Sequence, residues 1–211
     1  MKSFIDVLVI LLLFCLFGLV HSVLASKKVK HNIRLKAGKK IAFYRLFYNL
    51  TSIITIIIFY EISPKPDILI YDLPNPYDII IFVLQFMSLI GFIWCAVLID
   101  GMEFIGINQI KRYFKNEYDE TELDEHQTLI MKGPFKYSRH PIYLFSILFL
   151  WLRPVMDLFY LIFIICTTIY FIIGSYLEEN RLIKVFGTRY ENYRAEVPRF
   201  IPYRIFSKSS M

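Results

Sequence analysis

Five apolar runs separated by short polar stretches organise this chain. The first, Phe4 to Leu24, is followed by Lys27, Lys28, Lys30, Arg34, Lys36, Lys39 and Lys40 without one acidic residue. Val23 and Ala25 before Ser26 resemble a signal-peptide cleavage site, but the run is too long for an ordinary signal core and the basic segment opposes translocation. The pattern predicts a first membrane helix with its N-terminus outside. The second run, Phe43 to Ile62, ends at Pro64 and Pro66, and the connection to Tyr77 carries Asp67, Asp72 and Asp78, which suits the external face. The third, Tyr77 to Ile99, returns to the cytoplasm, where Asp100 to Arg139 forms one long hydrophilic connection with an acidic, mobile middle from Glu117 to Glu125.

The fourth run, Pro141 to Arg153, spans about 20 Å as a helix, short of a hydrocarbon core of about 30 Å. Arg153 and Pro154 make a turn, Asp157 is placed to cap the next helix, and the fifth run continues to Leu177, so runs four and five form a hairpin open to the cytoplasm. Beyond it the helix leaves the membrane without stopping. Gly187 breaks it, Thr188 and Glu191 have capping-box spacing, and a short helix runs from about Arg189 to Glu196 before Pro198. Leu182, Phe186, Tyr190, Tyr193 and Val197 recur at helical intervals, giving a stripe that lies on the bilayer or on the protein, as an anchor or a lid. The expected architecture is all-α and polytopic, a single membrane domain over 1–211. It has three N-terminal membrane helices (1–99), a cytoplasmic loop (100–140), the hairpin (141–177) and a cytoplasmic C-terminal segment (178–211) that completes a site.

Composition agrees. The 211 residues have a mean hydropathy of +0.50, with 56% hydrophobic and 18% aromatic residues, too apolar for one soluble core. The formal charge of +6 comes from juxtamembrane clusters that orient the protein and meet anionic lipid, which excludes a nucleic-acid partner. Cys15, Cys95 and Cys166 lie inside apolar runs without metal-ligand spacing, so they are packing residues and neither a disulfide framework nor a metal site is expected.

Chemistry concentrates in GPFKYSRHPIYLFSI, Gly133 to Ile147. An arginine at mid-bilayer costs roughly 2.5 to 3.5 kcal/mol, so charge at the mouth of an apolar hairpin marks a candidate site. In one account Pro141 starts a helix, Arg139 snorkels and Tyr143 joins the aromatic belt. In the other, His140, Tyr143 and the fresh helix N-terminus converge on a carboxylate or polar cofactor. At the far end of the hairpin, Glu178 and Glu179 are either an exposed turn partnered by Arg181 or a pair of which at least one turns inward to hold a cation such as an ammonium. His21, Ser22, Arg45 and Asn49 either border the same cavity or make interhelical hydrogen bonds. Asp100 and Glu103 are ambiguous, and His31 and His126 read as solvated loop residues.

GPFKYSRHPIY, then EEN, FGTRYENY and VPRFIP, resemble the membrane methyltransferases related to isoprenylcysteine carboxyl methyltransferase, over roughly Thr128 to Pro202. The first half, with GLVHSVLASKKVK and YRLFYNL, resembles bacterial members near the methanethiol S-methyltransferase and NnrU-like groups, which implies a bacterial inner membrane. The resemblance implies S-adenosylmethionine as methyl donor, bound at the cytoplasmic mouth of the hairpin under the C-terminal segment. Arg139, His140, Pro141, Tyr143, Glu178 and Glu179 would hold it. A ligand with an ammonium, a sulfonium and a carboxylate suits acidic side chains, aromatic faces and a helix N-terminus.

The acceptor would be a small thiol, or a lipophilic thiol, carboxylate or amine entering from the bilayer, with His21 and Asn49 lining its place. A thiol acceptor needs a base, His140 or His21; a carboxylate needs orientation by Arg45 or Arg139. Many relatives carry glycine where this chain has Phe145, a ring expected to narrow the cofactor's approach or shift helix packing. The alternative is a non-catalytic regulatory or assembly protein that keeps the fold. A transporter is disfavoured by the few ionisable groups in the helix interiors.

Overall fold

A computed structural model describes residues 2–123 and 128–202. His126 and the end of the acidic stretch lie outside them. Nine α-helices are described: α1 (Lys2–Ala25), α2 (Lys27–Ala37), α3 (Tyr44–Ile62), α4 (Tyr77–Leu98), α5 (Gly101–Ile105), α6 (Ile107–Phe114), α7 (Pro141–Trp151), α8 (Leu158–Phe186) and α9 (Thr188–Glu196). Among the described residues four helical stretches, 3–25, 27–62, 77–98 and 158–186, are long and apolar enough to cross a membrane, and α7 is a shorter apolar helix. Their exposed faces carry large apolar side chains such as Leu12, Phe82 and Val97, as lipid contact requires. The protein is an all-α polytopic membrane protein.

Two compact units divide the chain, Met1–Lys65 with Asp100–Thr128, and Pro66–Ile99 with Leu129–Met211. In the first, α1 packs on α3 through Ile10, Phe14 and Phe59, with the Phe14 and Phe59 rings edge to face at 5.6 Å. The basic segment after α1 is helical. Ser26 caps α2, and a 3-10 turn over Gly38–Phe43 leads into α3 and buries Ile41 and Ala42. His31 sits on α2, exposed, rather than in a loop. The long hydrophilic connection is also structured at its start. Asp100 caps α5 by accepting from the Glu103 N–H, and Glu103 pairs with Arg112 through two contacts of 2.8 Å, which gives both acidic residues structural work. In the acidic middle, Asp119 accepts from Thr121 in a local turn.

In the second unit α7 packs on α4. It has 11 residues and ends at Trp151, earlier than the apolar run suggests, because Leu152 to Pro154 lead into a two-stranded antiparallel ribbon. This ribbon pairs β1 (Leu69–Asp72) with β2 (Val155–Asp157) and was not expected. Its four- and three-residue strands lack the alternating run that signals a strand. Asp157 caps α8 as the spacing predicts, accepting from the Tyr160 N–H at 2.8 Å.

Helix α8 continues for 29 residues, about 43 Å, well past a hydrocarbon core of about 30 Å, as expected of a helix that leaves the membrane without stopping. It ends where Gly187 takes φ +53°, a backbone conformation most side chains avoid. The Thr188–Glu191 capping box is not formed. Gly187 itself occupies the cap position and Thr188 is already helical, so no side chain caps α9. The C-terminal stripe lies on the protein. Tyr190, Tyr193 and Val197 are buried against Leu129, Met131, Leu182, Ile183 and Phe186.

Candidate active site

Four segments of the second unit meet at the head of α7. Gly133–Lys136 forms a 3-10 turn, after which Ser138 to His140 lead, outside regular structure, into Pro141, the first helical residue, whose missing N–H costs nothing there. The C-terminal segment lies along this approach. The N–H groups of Arg139 and His140 donate to the carbonyls of Pro198 and Arg199 at 2.9 and 3.0 Å, and the Ser138 hydroxyl donates to the Arg199 carbonyl at 3.0 Å. His140 occupies the cap position of α7 and makes no side-chain cap bond there.

Being consecutive on α8, Glu178 and Glu179 point in directions about 100° apart and have different environments. The Glu179 side chain is 2% exposed, against 41% for Glu178. Oε1 of Glu179 accepts from Arg139 Nε at 2.9 Å, Arg199 Nε at 3.1 Å and His140 Nε2 at 3.2 Å; Oε2 accepts from Arg199 Nη2 at 2.8 Å, with Arg194 Nε at 3.8 Å. A buried carboxylate survives only when its charge and lone pairs are met in this way. Arg139 is itself 9% exposed and also donates through Nη1 to the carbonyls of Arg194 and Val197. Glu178 instead accepts from the Tyr143 hydroxyl at 3.0 Å, and its Oε2 lies 3.6 Å from His140 Nδ1, beyond hydrogen-bond distance.

An aromatic column adjoins the acidic pair. The His140 ring stacks on Tyr143 at 5.4 Å, and Tyr143 stacks on Phe171 of α8 at 5.0 Å. Phe200 lies against His140 at 5.8 Å, and the Arg199 guanidinium covers the Tyr176 ring at 3.4 Å. Arg199 keeps its charge more firmly than an ordinary arginine: burial opposes the cation, but Glu179 outweighs it.

Of the residues singled out from the sequence, the fold brings together Arg139, His140, Pro141, Tyr143, Glu178 and Glu179. His21, Arg45 and Asn49 belong to the first unit and are engaged there. The Tyr48 hydroxyl lies 2.7 Å from His21 Nε2, Arg45 Nε donates to the Phe104 carbonyl at 2.9 Å, and Asn49 Nδ2 donates to the carbonyls of Phe104 and Ile105 at 2.9 and 3.0 Å. Arg45 and Asn49 thereby satisfy the open carbonyls at the end of α5. Phe145 is turned to α4, its ring nested over Gly91, while Tyr143 on the same helix faces α8. Arg199, Arg194, Phe171, Tyr176 and Phe200 join the site residues without being singled out by the sequence pattern. Phe171 lies two turns before Glu178, a spacing that marks it for the same helix face; Arg199 gives no signal beyond the VPRFIP match and Arg194 none.

Residues 87–189 match the phospholipid methyltransferase family. The chain is 32% identical over 197 residues to the methanethiol S-methyltransferase of Crocosphaera subtropica, covering 89% of this chain and 71% of that protein. It is 30% identical to methanethiol S-methyltransferase 1 of Bradyrhizobium diazoefficiens, covering 94% and 67%. The methanethiol S-methyltransferase of Mycobacterium tuberculosis is 24% identical, covering 93% and 78%. No solved structure matches the chain significantly.

Proposed function

Because the chain belongs to the family of integral membrane methyltransferases that holds the isoprenylcysteine carboxyl methyltransferase-like, phospholipid and methanethiol S-methyltransferases, we propose that it transfers a methyl group from S-adenosylmethionine to a small thiol of the methanethiol type. The observation that carries this reading is the half-exposed Glu178 carboxylate, oriented by Tyr143 beside His140, in a chain similar to methanethiol S-methyltransferases over most of its length. The residues fit the donor. Glu178 has acceptor capacity to spare for an ammonium, the first-turn N–H groups of α7 suit a carboxylate, and the His140–Tyr143–Phe171 column suits a cation and a planar base.

When bound, S-adenosylmethionine supplies an electrophilic methyl on a sulfonium. The protein's part is alignment, exclusion of water and handling of the acceptor's proton. Alignment is worth on the order of 7 to 11 kcal/mol for well-oriented reactants. Since Glu179 can only accept, His140 carries its proton on Nε2, which leaves the Nδ1 lone pair to take the proton of the thiol and generate the nucleophilic thiolate. Arg139 and Glu179 shape the site from behind, and an apolar thiol enters from the bilayer. The excess of lysine and arginine over 27–40 supports a topology with the N-terminus outside and the C-terminus and site cytoplasmic, in a bacterial inner membrane.

Detergent-purified protein with labelled donor and methanethiol tests the reading by detection of the volatile thioether. The expected result is thioether formation, abolished in His140→Ala, and donor affinity weakened by about tenfold or more in Glu178→Gln. Absence of both donor binding and thioether overturns it.

A further inference from the structure

The saturation of Glu179 assigns it another task than meeting a ligand. Four nitrogens of Arg139, His140 and Arg199 share its Oε1 and the Arg199 fork reaches across to Oε2, so the roughly four acceptor sites of a carboxylate are spent inside the protein. Two of its arginine neighbours, Arg194 and Arg199, come from the C-terminal segment, and that segment also gives the carbonyls of Arg194, Val197, Pro198 and Arg199 to the Ser138–His140 approach. The result is a strap over the head of α7, with Phe200 laid against His140. Arg199 is its one planar, bidentate fastening to α8, held flat by Tyr176.

We propose that Arg199 is a positioning residue for methyl transfer: its fork on Glu179 seats the 197–200 strap against His140, and donor binding requires the seated strap. This rests on the methyltransferase reading above, and it assigns Glu179 to fastening and Glu178 to the donor. Arg199 is a suitable place to test it because Glu179 keeps Arg139 and His140 when Arg199 is removed, so α7 and α8 stay joined.

The experiment compares wild type, Arg199→Lys and Arg199→Met by hydrogen exchange over residues 189–202 and by titration with S-adenosylmethionine. Arg199→Met is expected to speed exchange in that segment and weaken donor binding by about tenfold each, with 159–175 unchanged and kcat on a small thiol falling less than affinity. Arg199→Lys, which keeps charge but loses the fork, is expected to fall between. Unchanged exchange, or donor binding that is equal or tighter in Arg199→Met because Glu179 has been released to meet the ammonium, overturns the proposal. A wild type that binds no donor removes the methyltransferase reading instead, and the exchange comparison tells that failure from a failure of the strap.

Discussion

Two adjacent glutamates illustrate how little a residue's identity says about its use. Glu178 and Glu179 are chemically equal and one position apart, yet the second is sealed between arginines and the first is half open. Helical rotation alone separates them, and only the fold says which way α8 is turned. Tyr190 is a second case. Its side chain is buried, and its hydroxyl has no hydrogen-bond partner among the described residues, so it carries a desolvation cost of about 1 to 3 kcal/mol without return. Tyr190→Phe is therefore expected to leave stability unchanged or raise it by up to about 1 kcal/mol, measured by thermal unfolding in detergent. A clear loss would mean that the hydroxyl is bonded. Arg139, His140 and Tyr143 were visible as candidates because charge beside an apolar run is anomalous. Arg199 was not, because an arginine in a polar tail is ordinary until the tail folds back.

Among the elements, α7 carries part of the candidate site and is too short to hold itself in place. It is fixed against α4 by a close approach in which the Phe145 ring fills the space that a side chain at Gly91 would need: a Cβ there would lie 2.4 Å from the ring. Small residues at helix contacts allow such approach in membranes. Gly91→Ala is expected to destabilise the protein by about 1 to 3 kcal/mol through overpacking, and Phe145→Ala added to it to recover part of that loss. Denaturant unfolding of the single and double variants measures both, and simple additivity would dispose of the contact. Of the two expectations for Phe145, a narrowed cofactor approach or a shift in helix packing, its ring over Gly91 of α4 fits the second. From the sequence it is just two places after Tyr143, but about 200° of helical rotation turns it to the opposite face.

For the molecule as a whole, the hydrophobic pattern settled membrane residence and the apolar helices but not α2, α5 or α6, and the family resemblance in the second half of the chain agrees with the comparisons. Stability of the C-terminal cluster gives a test at this scale. Burial, joined by the Glu179 charge, raises the Tyr190 hydroxyl to about 12, and burial together with Tyr190 raises Tyr193, whose hydroxyl also donates to the Phe135 carbonyl. In the unfolded chain both ionise near pH 10. The stabilisation from keeping them protonated is full below pH 10 and declines as pH rises through the folded values. Alkaline unfolding is thus expected to set in between pH 10 and 12, and to be milder in Tyr190→Phe. A transition midpoint flat across that range would contradict it.

The chain by itself determined that apolar runs enter a membrane, that the run at Pro141 is stunted, and that basic and acidic groups mark the two ends of one hairpin, because hydropathy and helical period are local properties. Tertiary structure decided which glutamate is buried, that His21, Arg45 and Asn49 find partners in their own unit, that Phe145 faces α4, and that a distant arginine closes on the hairpin. Those outcomes depend on rotation about helix axes and on contacts between residues far apart in sequence, which no local pattern encodes.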